Sequence, residues 1–207
     1  DVGKSFLIQS SFHHYAKHQV LIRQIVKTEF ILGIAELLVN TINLSEFQHI
    51  QEKMSEIIIG LETMKALLEK SENDAALDES GNMCPDISPL AVAGSIFSKI
   101  YPRFIEIIQI IGASGMITLP TEKAFHSAIR ADLDQYLQGV TKTAEERVKI
   151  FRLAWDLTMS SFGTRQMQYE RYFFGDPIRL SSDLYNNYPK QKYVEVVSNF
   201  LNLKKME

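Results

Sequence analysis

The chain has 207 residues, 45% hydrophobic and 23% charged, with a net charge of −3 and a pI near 6.0. These values describe an ordinary globular protein large enough for a sizeable core, read here as one domain. They lack the basic footprint of a nucleic-acid binder. A single cysteine, Cys84, rules out an internal disulfide framework and makes the cytoplasm the default compartment. The most apolar run, Phe30 to Val39, is interrupted by Gly33 and Glu36 and is too short to span a bilayer. The chain opens at Asp1, already on the approach to a long helix, which points to a domain of a longer protein or a processed product.

Taken in order, the apolar spacing predicts a first helix over about Ser11 to Asn40, carrying Val20, Ile22, Ile25, Val26, Phe30, Ile34, Leu37 and Leu38. Gly33 is expected to let a neighbouring helix approach closely. Ser45 is a candidate N-cap for a second helix, about Glu46 to Lys70. Ser71 to Pro85 is polar and reads as a surface connection. Pro89, with Ser88 as cap, opens a third helix running to Ile111, with a break or kink expected near Tyr101 because of Pro102. Thr121 caps a fourth helix, about Glu122 to Leu137. Thr143 and Glu146 form a capping box for a fifth. That helix meets Gly163, and helical pattern resumes through Tyr172. Short helices follow from Asp176–Pro177 to Tyr188 and from Tyr193 to Leu203. No strand signal stands out. The expected class is all-α, an antiparallel four-helix bundle with short extra C-terminal helices.

Several candidate motifs carry bland readings. Gly3–Lys4–Ser5 resembles the tail of a phosphate loop but lacks its first glycine and preceding strand. His14 and His18 share a helix face near His13, yet two histidines need further ligands to hold zinc; no metal site is expected. Cys84 sits before a proline with no setting that lowers its pKa. Gln109-Ile-Ile-Gly112-Ala-Ser-Gly115 ends an apolar helix in a small-residue turn. That turn suits either close approach of phosphates or a glycine C-cap.

The stretch Phe162 to Arg179 packs three arginines, two glycines, an Asp–Pro and several aromatics into a short span. Gly163 interrupts a good helix at a cost of about 1 kcal/mol relative to alanine, consistent with backbone access there. Arg165, Gln166 and Tyr169, one turn apart, offer a guanidinium, an amide and a phenol to a polyanionic or aromatic ligand. A helix or subunit contact, with Glu170 and Arg171 in ion pairs, is equally consistent with the composition.

The run Arg147…Leu153-Ala-Trp-Asp-Leu…Phe162-Gly-Thr-Arg-Gln…Tyr169-Glu-Arg-Tyr-Phe-Phe-Gly-Asp-Pro-Ile-Arg179 closely resembles the C-terminal domain of the 4-hydroxyphenylacetate 3-monooxygenase oxygenase family. So do His18-Gln19…Arg23…Lys27-Thr-Glu-Phe-Ile-Leu-Gly33 and Gln109 to Gly115 with Leu119–Pro120. The resemblance implies an acyl-CoA dehydrogenase-like architecture of which residues 1–207 are the single helical C-terminal domain, the N-terminal and middle domains lying outside the chain. It implies ortho-hydroxylation of a phenol by reduced FAD supplied by a separate flavin reductase, in a homo-oligomer, dimer or tetramer, without nucleic acid or membrane.

By motif, it implies cofactor contacts from His18, Gln19 and Arg23 on the first helix. Gln109, Gly112, Ala113 and Gly115 would meet the adenosine diphosphate moiety. Gly163, Thr164, Arg165, Gln166 and Tyr169 would close over the flavin as a loop and following turn. Ala113 stands where the family usually has a second glycine. The family's phenol-binding and general-base residues lie in the absent part, so no catalytic residue is assigned. The alternatives are a stand-alone helical oligomerisation or binding module, and a 4-hydroxybutyryl-CoA dehydratase-like enzyme of the same fold, which would need cluster-binding cysteines.

Overall fold

The computed structural model describes Gly3 and residues 10–203. The remainder of the Gly3–Lys4–Ser5 motif lies outside the described residues. Three long helices, α1 (Phe12–Thr41), α2 (Gln48–Asn73) and α3 (Ile87–Gly112), pack on one another. α3 is central. It also contacts α5 (Ala144–Thr158) and α6 (Ser161–Tyr172), which complete the antiparallel bundle, and α7 (Pro177–Asn187). Two small helices, α4 (Arg130–Tyr136) and α8 (Gln191–Phe200), lie outside the core and bury no residue. The core runs through Ile31, Leu38, Ile57, Met64, Phe97, Phe104, Ile108 and Phe151. Among the described residues no helix is long and apolar enough to cross a membrane.

α1 is apolar on more than the face that packs. Val20, Ile25, Ile34 and Leu38 are buried, while Ile22, Val26, Phe30 and Leu37 are 40–58% exposed. Spaced mostly by four residues, the exposed set forms a second stripe along the helix. Gly33 does not bring a neighbour close: a Cβ there would have nothing within 4 Å. The close approach is at Gly60 instead, where a Cβ would sit 2.5 Å from the Phe104 ring.

Several boundaries depart from expectation. Ser45 is not the cap of α2; Phe47 precedes the helix and makes no side-chain cap. Asp86 rather than Ser88 caps α3, accepting from the Ser88 N–H at 3.1 Å. α3 carries Pro102 without a break, because its flanks are anchored in the core by Tyr101, Phe104 and Ile105. The expected fourth helix is two pieces: a 3-10 turn, Glu122–His126, and then α4. Ser127 divides them. Its backbone is extended and its hydroxyl donates to the Ala124 carbonyl at 2.8 Å, a local bond that competes with helix continuation. The Thr143–Glu146 capping box is present in full.

A short antiparallel ladder, β1 (Ala76–Leu77) with β2 (Met83–Cys84), occupies the segment read as a plain connection. Two-residue strands carry no period-2 signal. The hairpin is held at its tip by the Asp78 carboxylate, which accepts from the Ser80 and Asn82 N–H groups at 2.9 Å each. It is tied to α1 by the Tyr15 hydroxyl on the Met83 carbonyl at 3.1 Å and by His14 Nδ1 at 2.9 Å from the Pro85 oxygen.

Candidate functional site

α5 ends at Thr158 and α6 begins at Ser161, so the interruption comes before Gly163 rather than at it. Ser160 caps α6, its hydroxyl accepting from the Phe162 and Gly163 N–H groups at 3.1 Å. Gly163 is buried in the first turn. A Cβ there would lie 2.4 Å from the Leu157 carbonyl oxygen and 2.7 Å from that of Asp156. Glycine is needed because α6 starts directly against the backbone end of α5. The segment Gly163–Gln166 is thus helix, not a loop, and the space beside the glycine is filled by the chain itself.

From α6, one face turns to α1. The Glu170 side chain is 0% exposed and receives four donors from three side chains. Both terminal nitrogens of Arg23 reach it, Nη2 at 3.0 Å from Oε2. Lys27 Nζ and Gln166 Nε2, the latter at 3.0 Å, donate to Oε1. The Arg23 guanidinium also lies over the Phe173 and Tyr169 rings, 5.0 and 5.5 Å from their centroids. Burial by itself pushes the Glu170 carboxyl up, but the hydrogen bonds and charges of Arg23 and Lys27 outweigh it and hold the group below the usual carboxylate range. The same pairing leaves Arg23 raised against its own desolvation, whereas burial prevails at Lys27 and lowers it. One carboxylate gains from two cations, while each cation receives only a share. Tyr101, fully buried beside this cluster, has a hydroxyl with no hydrogen-bond partner. Burial first, then the Glu170 charge, pushes its pKa up.

The other face of α6 turns to α3. Gln109 donates from Nε2 to the Thr158 carbonyl at 3.2 Å, tying the end of α3 to the α5–α6 junction. Gln109 and Thr164, from two separate sequence motifs, line one cleft of about 590 Å³ with Arg103, Met167 and Arg171. A cleft of about 620 Å³ elsewhere, over Phe125, Val148 and Trp155, contains none of the candidate residues.

The structure therefore does not bring the candidate residues into a single site. Arg23, Gln166 and Tyr169 meet around Glu170. Gln109 and Thr164 meet across the α3–α6 cleft. His18 points to Glu72, with Nε2 at 2.8 Å from the carboxylate, and Gln19 is exposed without a partner among the described residues. Arg165 is exposed and folds back on the Ser161 carbonyl. Gly112 closes α3, and Ala113 to Met116 form a 3-10 turn. A Cβ on Gly112 would strike Met116, and one on Gly115 would lie 2.8 Å from Phe151, so both glycines have packing reasons within the chain. Ala113 has φ 44° and ψ −143°, a conformation that favours glycine.

Lys27 and Tyr101 join the site without a sequence expectation. Of the two residues expected in ion pairs, Glu170 finds Arg23 and Lys27, while Arg171 has no ion-pair partner among the described residues. The spacing held a signal: Arg23 and Lys27 are four apart, as are Gln166 and Glu170, which puts each pair on one helix face. Which helix faced which was not available from spacing. Among the described residues no group of three or more histidine, cysteine or acidic side chains is placed to hold a metal ion. Cys84 is buried in the hairpin.

A probable 4-hydroxyphenylacetate 3-monooxygenase of Bacillus subtilis is 67% identical over 201 residues, 97% of this chain and 42% of that protein. A crystal structure of the oxygenase component (HpaB) of 4-hydroxyphenylacetate 3-monooxygenase, complexed with FAD and 4-hydroxyphenylacetate, superposes with a TM-score of 0.91 at 43% identity. That match covers 95% of this chain and 41% of that one. An oxygen-tolerant 4-hydroxybutyryl-CoA dehydratase from N. maritimus shares the fold, with a TM-score of 0.85 at 19% identity, covering 98% of this chain and 40% of that one. At that identity the likeness concerns fold alone. The chain spans about two fifths of the length of these relatives. The family model described as HpaB, 4-hydroxyphenylacetate 3-hydroxylase C terminal, matches residues 4–202, and the chain belongs to that family.

Proposed function

We propose that this chain is the C-terminal, FAD-holding and self-associating part of a two-component aromatic hydroxylase that inserts oxygen ortho to a phenol hydroxyl, using reduced FAD delivered by a separate flavin reductase. The observation that carries this reading is the 67% identity along nearly the whole chain to a probable 4-hydroxyphenylacetate 3-monooxygenase. The flavin, when bound, supplies the oxygen chemistry. The residues present fit such a group in kind. The start of α6 and the end of α3 carry exposed Thr164, Arg165, Gln109 and Ala113, and the guanidinium and amide among them are donors suited to phosphate and ring edges.

In this reading the chain's own work is positional. Arg23 and Gln166 are held by Glu170, so the α1 and α6 donors keep a fixed separation. Gln109 ties the end of α3 to the same junction. A preformed frame of this kind lowers the ordering cost of binding. The exposed α1 stripe of Ile22, Val26, Phe30 and Leu37 serves self-association, since contiguous apolar surface of this kind marks an interface.

The test is product formation by the intact protein carrying this chain, with FAD, NADH, O2 and an added flavin reductase. The reading expects a catechol from 4-hydroxyphenylacetate or another para-substituted phenol. Flavin turnover that yields only hydrogen peroxide across a phenol panel contradicts it.

A further inference from the structure

At the start of α3, the end of that helix away from Gly112, lies a cleft of about 490 Å³ between α1, α3 and α7. Leu90, Phe174, Leu184 and Tyr188 give it an apolar wall. Its volume is ordinary for a small-molecule pocket. None of the residues expected to meet a cofactor lines it.

The ionisable side chains on this cleft are Lys17 from α1, Lys70 from α2, Asp183 from α7, Tyr188 just beyond it, and Lys192 from α8. Two of the three lysines are occupied. Lys70 pairs with Asp74 at 2.5 Å, and Lys192 Nζ lies 4.9 Å from the Tyr193 ring centroid. Lys17 differs. It is half-buried, and its Nζ makes no hydrogen bond, ion pair or ring contact among the described residues. Asp183 shares the cleft without pairing to it, and burial pushes the Lys17 pKa down in spite of the Asp183 charge. Lys27, also lowered by burial, is the contrast, because its amine is spent on Glu170.

An amine in this setting has two complements. An anion would pair with the ammonium, but a carboxylate or phosphate entering here would meet Asp183 and leave water for an apolar wall. A neutral carbonyl group bears neither cost. Desolvation favours the free amine, whose lone pair is the nucleophile. Phe174 and Tyr188 add aromatic surface suited to an aryl group.

We propose that the cleft at the start of α3 captures aromatic aldehydes and that Lys17 is its nucleophile, forming an imine with the bound aldehyde. The ammonium first gives one proton to solvent. The Nζ lone pair then attacks the carbonyl carbon and forms the C–N bond. The two remaining amine hydrogens and the carbonyl oxygen leave together as water, and C=N remains, with no oxidant or reductant taking part.

The experiment treats the intact protein at neutral pH with benzaldehyde or acetaldehyde. Cyanoborohydride reduces any imine to a stable secondary amine, and peptide mass spectrometry follows which lysines are labelled. With benzaldehyde, Lys17 should react about tenfold or more faster than Lys149, whose side chain is 72% exposed; that is a small part of what holding a reactant in place can supply. With acetaldehyde, too small to use the apolar wall, the two rates should converge. Asp183→Asn, at an exposed position, should speed Lys17 labelling further, because it removes the charge that favours the ammonium. Labelling in order of exposure, with Lys149 ahead of Lys17, overturns the proposal. A Lys17 preference of equal size with both aldehydes overturns it too, as does an Asp183→Asn protein, folded by circular dichroism, that is labelled no faster at Lys17. None of these outcomes bears on the flavin reading.

Discussion

Replacing Glu170 by alanine strands two cations. The carboxylate is fully buried, and its partners Arg23 and Lys27 have side chains 26% and 22% exposed. Removing one member of a buried ion pair costs about 3–5 kcal/mol. Here both cations retain an edge in water, so the lower end, about 3 kcal/mol, is expected for Glu170→Ala. With a urea m-value of about 3 kcal/mol/M, the midpoint should fall by about 1 M. Glu170→Gln keeps the shape and one acceptor oxygen, so its loss should be smaller and measures the charge alone. The pH dependence is a second readout. The folded carboxyl is held below its unfolded value, so its contribution is complete above about pH 4.3 and lost as pH falls through the folded value. Glu170→Gln should flatten the acid limb of stability against pH without abolishing it. Glu56, Glu145, Glu146 and Asp78 are also held low by hydrogen bonds and keep part of the slope. A Glu170→Ala protein within about 1 kcal/mol of wild type, a margin ordinary for point variants, would refute this account of the cluster, as would an acid limb identical in Glu170→Gln.

Gly163→Ala should destabilise by about 1–3 kcal/mol, the usual cost of overpacking, because its Cβ would meet the Leu157 backbone; urea unfolding reads it directly. Ala113→Gly should stabilise, by relieving a positive φ that costs about 1–3 kcal/mol, less what added chain freedom removes; a lowered urea midpoint would contradict it. Tyr101→Phe removes a buried hydroxyl that has no partner and should be neutral or stabilising by about 1 kcal/mol, measured the same way. Val26→Asp together with Phe30→Asp should shift the protein toward smaller species in sedimentation velocity without lowering its helix content by circular dichroism, since both positions are exposed.

The helices were legible because each long one repeats its apolar residues at helical spacing. Two ends marked by local chemistry, the Thr143–Glu146 box and the Asp176–Pro177 start, agreed to the residue, whereas the candidate caps Ser45 and Ser88 did not. Where the end was set by tertiary contact, sequence pattern misplaced it. Gly163 illustrates this: its composition signal was real, but the partner occupying the space beside it is the Leu157 carbonyl, six residues back, and nothing in a linear pattern names that neighbour. Likewise both stripes of α1 have helical periodicity, and only packing shows that Ile25 is covered while Val26 is not. At the candidate site, the residue types were evident in the stretch from Phe162 to Arg179. Their division into a Glu170 side facing α1 and an Arg171 side facing α3 depends on the roll of α6 between two helices.

Hydrogen–deuterium exchange of the intact protein, with and without reduced FAD under anaerobic conditions, tests the central claim most directly. If the ends of α3 and α6 hold the cofactor, peptides covering residues 109–116 and 160–171 should gain protection together, while those covering α2 should not. Binding of the flavin with no change in either peptide would contradict the account.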